Sequence, residues 1–188
     1  MLFRSGLEWA SKYCKFQYLL KADDDVFVNP YLLMDYLRKP DTPTTKLYTG
    51  TCWHGARPHR EGKYVVCVED YNRTRYPDYC PGSGYALSSD MVHKLVEMFD
   101  VGKKPFKMED VYVGLLVEKM GDVKVRPHPS FRYSGECKLS PDTFTQHRAS
   151  VQCMGELFNR AMKERVEHEL AQLRSSRMTN TGSNNTEH

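Results

Sequence analysis

Phe16-Gln17-Tyr18-Leu19-Leu20-Lys21-Ala22-Asp23-Asp24-Asp25-Val26-Phe27-Val28-Asn29-Pro30 sets three consecutive carboxylates between two apolar runs. The first run has the length and the aromatic and aliphatic content of a buried strand, so the aspartates fall at its C-terminal end. Val26–Val28 continues extended. Asn29 is a good N-cap and Pro30 suits the first helical position, so a helix begins there. It stops before Pro40. Adjacent carboxylates repel, and a strand exit flanked by buried residues solvates them poorly. A lone acidic triplet is ordinarily a solvated turn. Here the apolar flanks point instead to a divalent cation that prefers hard oxygen ligands, of the Mg, Mn or Ca kind.

Working outward, residues 2–14 read as an amphipathic helix, with Phe3, Leu7, Ala10 and Cys14 at helical spacing. Arg4, Glu8 and Lys12 form a charged ladder on its other side. Lys46–Thr51 and Tyr85–Leu87 read as strands, and Val123–Val125 as a third. Ser88 or Ser89 caps a helix whose apolar face is Met91, Val92, Leu95, Val96 and Phe99. Glu109-Asp110 opens a helix over Val111–Met120 that Gly121 closes. Val151–Leu173 reads as a long amphipathic helix with Val151, Met154, Phe158, Ala161, Met162, Val166, Leu170 and Leu173 on its apolar face. After Arg174 the chain turns polar and reads as disordered. The expected division is one catalytic segment over 1–174 and a polar tail over 175–188. Strands alternating with helices give an α/β fold, a sheet flanked by helices, whose functional groups gather beyond strand ends.

The 188 residues are 40% hydrophobic and 12% aromatic, enough for one domain with a real core. A net charge of +3, with no basic stripe interleaved with aromatics, gives nucleic-acid binding no support. No apolar run of about eighteen residues exists to span a membrane. Six cysteines suit one or two bridges in a lumenal domain. The sequons at Asn72 and Asn184 agree with that compartment. Cys52, His54, His59 and Cys67 fit no standard zinc spacing.

A second acidic site is Glu109-Asp110. The helix N-terminus favours the charged form there, so Asp110 is expected to be ionised at neutral pH. A third element is Gly82-Ser83-Gly84-Tyr85, where two glycines give a ligand room to approach the backbone. It has neither phosphate-loop nor dinucleotide spacing.

The order of these elements is more specific than any one of them. The aspartate triplet, an aromatic loop, Tyr76-Pro77-Asp78-Tyr79-Cys80-Pro81-Gly82-Ser83-Gly84-Tyr85 and then Glu109-Asp110-Val111-Tyr112-Val113-Gly114 resemble the beta-1,3-galactosyltransferase and beta-1,3-N-acetylglucosaminyltransferase family. The resemblance runs from Gly6-Leu7-Glu8-Trp9 to about Asn159. It implies a GT-A-like mixed sheet flanked by helices. It also implies an inverting hexosyl transfer, moving galactose or an N-acetylhexosamine from a UDP-sugar to a glycan acceptor on lipid or protein in beta-1,3 linkage.

The resemblance also assigns residues. Asp25 would bind Mn²⁺, or Mg²⁺ in its place, with Asp23 and a late histidine, which falls on His147 with His128 as competitor. Asp23, Asp24, Gly82 and Gly84 would face the donor. Asp110, beside Glu109, would be the catalytic base. Tyr64 stands where the family has an aromatic, and Tyr64 and Tyr85 would stack on sugars. Cys80 and Cys137 match family cysteines and are expected to pair. Family members are single-pass type II proteins facing the Golgi lumen, with an anchor, a stem and the first nucleotide-binding strands ahead of the region matched. The chain is therefore expected to lack those strands and to reach the membrane only through a segment outside it. A catalytically inactive fragment is the competing expectation. Diphosphate-dependent prenyl synthases are disfavoured, because their aspartates lie on a helix and these follow a strand.

Overall fold

The computed structural model describes residues 2–100, 102, 106–133, 137 and 142–182. In chain order the elements are α1 (Leu2–Tyr13), β1 (Tyr18–Lys21), β2 (Val26–Val28), α2 (Pro30–Leu37), β3 (Tyr48–Gly50) and β4 (Tyr85–Ser88). Then come α3 (Ser89–Glu97), α4 (Glu109–Met120), β5 (Arg126–Pro127), β6 (Phe131–Arg132), β7 (Thr145–His147) and α5 (Val151–Gly182). Strands form two mixed sheets. The larger runs β1-β4-β3-β5, with β4 antiparallel to both neighbours and β5 parallel to β3. The smaller runs β2-β7-β6, with β7 antiparallel to β2 and parallel to β6.

Alternation along the strands builds the layers. On β4, Tyr85 and Leu87 face a core made with Leu7 of α1, Met91, Val92 and Leu95 of α3, and Val113, Leu116 and Val117 of α4. Ala86 faces the other way, onto Leu33 and Leu37 of α2 with Leu47, Phe131 and Phe144. The larger sheet is thus covered on both faces, which explains the near-continuous apolar runs of its strands. Local signals fix the element ends. The Leu32 N–H donates to Asn29 Oδ1 at 3.2 Å, capping α2 with Pro30 behind the cap. Gly121 ends α4 at φ 75°, a left-handed position that glycine occupies at little cost.

Four expectations change. Val123–Val125 is not a strand; the pairing with β3 falls on Arg126 and Pro127, opposite Thr49 and Gly50. The docked face of α5 is Cys153, Leu157 and Ala161 against Phe27, whereas Phe158, Val166, Leu170 and Leu173 are about half exposed. Helix α5 also runs to Gly182, past Arg174, where the sequence reading ends it. The hydroxyls of Ser175 and Ser176 donate to the carbonyls of Gln172 and Leu173, so local hydrogen bonds accompany the helix beyond that point. Residues 183–188, with the Asn184 sequon, lie outside the described residues.

The last change concerns the cysteines. Cys80 pairs with Cys52, and Cys137 with Cys153, rather than with each other. Trp53 and Tyr79 exchange backbone hydrogen bonds at 2.7 and 3.2 Å, which sets their neighbours Cys52 and Cys80 side by side. A bridged Cys52 has no thiolate left to offer zinc. Cys14 and Cys67 are free.

Candidate functional site

The three aspartates form the link from β1 in one sheet to β2 in the other. Backbone hydrogen bonds pin the link at both ends. The Asp23 N–H donates to the Gly82 carbonyl at 3.0 Å, and the Ala149 N–H donates to the Asp25 carbonyl at 2.9 Å. The first bond ties the link to the turn before β4, and the second to the segment between β7 and α5. All three side chains are exposed.

Asp23, Asp25 and His147 each turn one ligand atom to a common point, all within 4.8 Å of one another. His147 arrives on β7, directly across from Val26. Its Nε2 lies 3.6 Å from Asp25 Oδ1, and its ring packs 4.9 Å from that of Tyr133. Its buried Nδ1 has no hydrogen-bond partner among the described residues. Two carboxylates and an imidazole, open to solvent on the carboxylate side, suit Mn²⁺ or Mg²⁺, and the donor set fits the group the sequence anticipates. His128, the competing histidine, is placed elsewhere. It stacks on Phe144 at 4.9 Å and tilts against Tyr36 at 4.6 Å, while the Ser130 N–H donates to its Nδ1. Burial, then the charge of Lys39, pushes its pKa down. It is an aromatic packing residue.

Lys21 joins the two acidic sites. Its Nζ donates to Asp23 Oδ1 at 2.6 Å and pairs with Glu109 Oε1, with only 16% of its side chain exposed. Burial works to lower its pKa, but the hydrogen bonds to Asp23 and Glu109 outweigh it and raise the value. Lys21 is therefore a fixed ammonium. No motif in the sequence marks Lys21 for this role. The available signal was one cation in an apolar strand, two residues from Asp23 and so on the same side of an extended chain.

Glu109 and Asp110 open α4. Burial is the largest influence on both carboxyls and lifts both above the ordinary range; Lys21 opposes it at each. The Val111 N–H donates to Asp110 Oδ1 at 2.8 Å and opposes it further. The helix start thus favours the charge, as expected, but burial acts more strongly. Glu109 Oε2 is buried without a hydrogen-bond partner among the described residues.

The glycines give close approach, though to protein rather than open space. A Cβ at Gly82 would overlap the Asp23 carboxylate. Gly84 sits at φ +127°, and a Cβ there would stand 3.0 Å from Thr145 Cγ2 of β7. Tyr85 is fully buried, edge-on to Tyr48, so it has no free face for a sugar and the stacking role expected of it is withdrawn. Tyr64 is 53% exposed, with Lys63 Nζ 5.3 Å from its ring centre and His59 as its ring neighbour, all within the 52–80 loop. Asn72 is exposed. Asp24 faces solvent without a role that the geometry singles out.

Residues 3–128 match the family described as Galactosyltransferase. Among similar proteins, beta-1,3-galactosyltransferase 2 of Homo sapiens is 35% identical over 145 residues, covering 72% of this chain and 34% of that protein. Lactosylceramide 1,3-N-acetyl-beta-D-glucosaminyltransferase B of Danio rerio is 40% identical over 136 residues, covering 70% of this chain and 35% of that one. Beta-1,3-galactosyltransferase 5 of Mus musculus is 37% identical over 127 residues, covering 65% and 39%. The chain spans about a third of the length of the curated relatives it matches.

Proposed function

Because this chain belongs to the galactosyltransferase family, we propose that it carries the metal ligands and the general base of an inverting hexosyltransferase. The reaction moves galactose or an N-acetylhexosamine from a UDP-sugar to a hydroxyl of a glycan on lipid or protein, in beta-1,3 linkage, in the Golgi lumen. One observation carries the reading. Asp23, Asp25 and His147 converge, and Lys21 ties that cluster to the start of α4, where Asp110 is held in a partly buried site.

Each side chain then has a task. Asp25, Asp23 and His147 would hold Mn²⁺, which would offset the charge of the diphosphate. Lys21 keeps Asp23 and Glu109 from repelling one another and fixes α4 relative to the triplet. Asp110 accepts the acceptor hydroxyl's proton as that oxygen bonds to the anomeric carbon. The bond from that carbon to the diphosphate oxygen breaks, and UDP departs with the electron pair. A single displacement with one base inverts the centre, so no second catalytic carboxylate is required, in contrast to the pair used in glycoside hydrolysis. A base whose pKa lies above the usual aspartate value takes up that proton more readily.

Calorimetric titration with UDP, with and without Mn²⁺, tests the reading. Mn²⁺-dependent binding is expected; none at millimolar UDP would sink the proposal for this chain. Asp110→Asn should lower transfer by about 10²–10⁴-fold while leaving that binding nearly intact. An equal loss of both would make Asp110 structural.

A further inference from the structure

We propose that Trp53 and Tyr133 form an acceptor subsite, a two-ring ledge that seats the pyranose ring of the acceptor sugar. The proposal rests on the transferase reading above and names where its second substrate lies.

The two rings come from distant parts of the chain, one from the loop after β3 and one from the residue after β6. They meet edge to face, with centroids 5.3 Å apart and planes at 66°. Both are partly open, at 36% and 38% exposure. Such a pair leaves aromatic surface in water, where a sugar's apolar face can cover it. A pyranose presents polarised C–H bonds on one side, which match the negative face of an aromatic ring.

The neighbours on either end fix where the sugar would sit. Tyr133 packs 4.9 Å from His147, the imidazole of the candidate metal cluster. Trp53 packs 5.8 Å from Tyr79. Tyr79 is buried against Val111 and Gly114 of α4, the helix that Asp110 opens. A run of ring contacts thus leads from His147 through Tyr133 and Trp53 to Tyr79 beside α4, and a sugar seated on the ledge would lie along that run.

The ledge is also rigid. Trp53 and Tyr79 exchange two backbone hydrogen bonds, and the adjacent Cys52–Cys80 disulfide closes the same point. An exposed ring held this firmly loses little freedom on binding. The ring contacts of Tyr64 are instead with Lys63 and His59 of its own loop.

The chain has two tryptophans, Trp9 and Trp53. A Trp9→Phe variant leaves Trp53 as sole fluorescent reporter. Lactose and N-acetylglucosamine are titrated into it, with and without UDP and Mn²⁺. At least one sugar should change the emission saturably. Tyr133→Ala should weaken that binding by about tenfold, the scale of one lost aromatic contact, while Tyr133→Phe retains it. Calorimetric UDP binding should be the same in the Trp9→Phe and Tyr133→Phe proteins. No saturable change with either sugar overturns the ledge, and where UDP and Mn²⁺ still bind, the transferase reading survives it. Saturable sugar binding without UDP binding does the reverse. If Tyr133→Ala weakens UDP-galactose and not the free sugars, the ledge serves the donor and the proposal fails.

Discussion

At Asp110 two influences compete: the start of α4 favours the carboxylate, and burial, the larger effect, disfavours it. A carboxyl whose folded pKa exceeds its unfolded value adds stability below the unfolded pKa and loses it as pH rises through the folded one. Ionised Asp110 therefore costs stability at neutral pH. Asp110→Asn should raise the melting temperature at pH 7 by about 2–4 °C, for a gain of about 1 kcal/mol. The gain should fade as pH drops through the unfolded aspartate value of about 3.9 and vanish by about pH 2.5–3, where the carboxyl is neutral in both states. Thermal melts of the two proteins at both pH values check this; an unchanged Tm at pH 7 would mean burial is not the controlling influence. At this scale the sequence revealed which residues carry charge, because an acidic triplet and an acidic helix start are visible in one dimension. It did not reveal Lys21 as their bridge, since that depends on how α4 packs over β1. Nor did it show that Tyr85 turns inward, which follows from the alternation of β4 against a core supplied by α1, α3 and α4.

Among elements, those with local signals were legible. Asn29-Pro30 starts α2 and Gly121 ends α4, each by a mechanism confined to a few residues. Strand β7 was not legible. Thr145-Gln146-His147 has no apolar run, and it is a strand because β2 and β6 lie on either side of it. Val123–Val125 shows the opposite case, three residues of good strand composition that the register with β3 passes over. Packing overrides propensity again in α4. Alanine is a better helix former than glycine by about 1 kcal/mol, yet a Cβ at Gly114 would stand 2.7 Å from Tyr79 Cβ and 2.8 Å from the Asp78 carbonyl oxygen. Gly114→Ala should therefore destabilise, by about 1–3 kcal/mol of overpacking. A urea midpoint shifted upward instead would mean the 78–79 segment moves aside freely.

For the whole molecule, two disulfides join segments that the sheets alone do not hold together. Cys52–Cys80 closes the aromatic loop with a sequence separation of 28, and Cys137–Cys153 ties the segment after β6 to α5 with a separation of 16. Loop-closure entropy assigns each about 3 kcal/mol. Reduction should lower the melting temperature by about 12–24 °C, at about 2–4 °C per kcal/mol, and Cys52→Ser with Cys80→Ser should account for about half of the shift; a Tm insensitive to reductant would exclude a stabilising role for either bridge. No helix among the described residues is long and apolar enough to cross a membrane. A sheet flanked by helices was legible from alternating strands and helices, and its mixed character only from the family resemblance. The division into two sheets was not, because it is made by the turn at Asp23–Asp25.

The pairing of β2 with β7 also sets an order of events. Asp25 and His147 stand next to one another in space, yet about 120 residues separate β2 from its partner, and contacts of that sequence separation form late in folding. The larger sheet can assemble from β1, β3 and β4 while its aspartates still have no histidine. In such an intermediate Asp23 already has Lys21 beside it, while Asp25 waits for β7. The cluster is thus completed only when β2 and β7 pair, and its formation reports that the smaller sheet has closed.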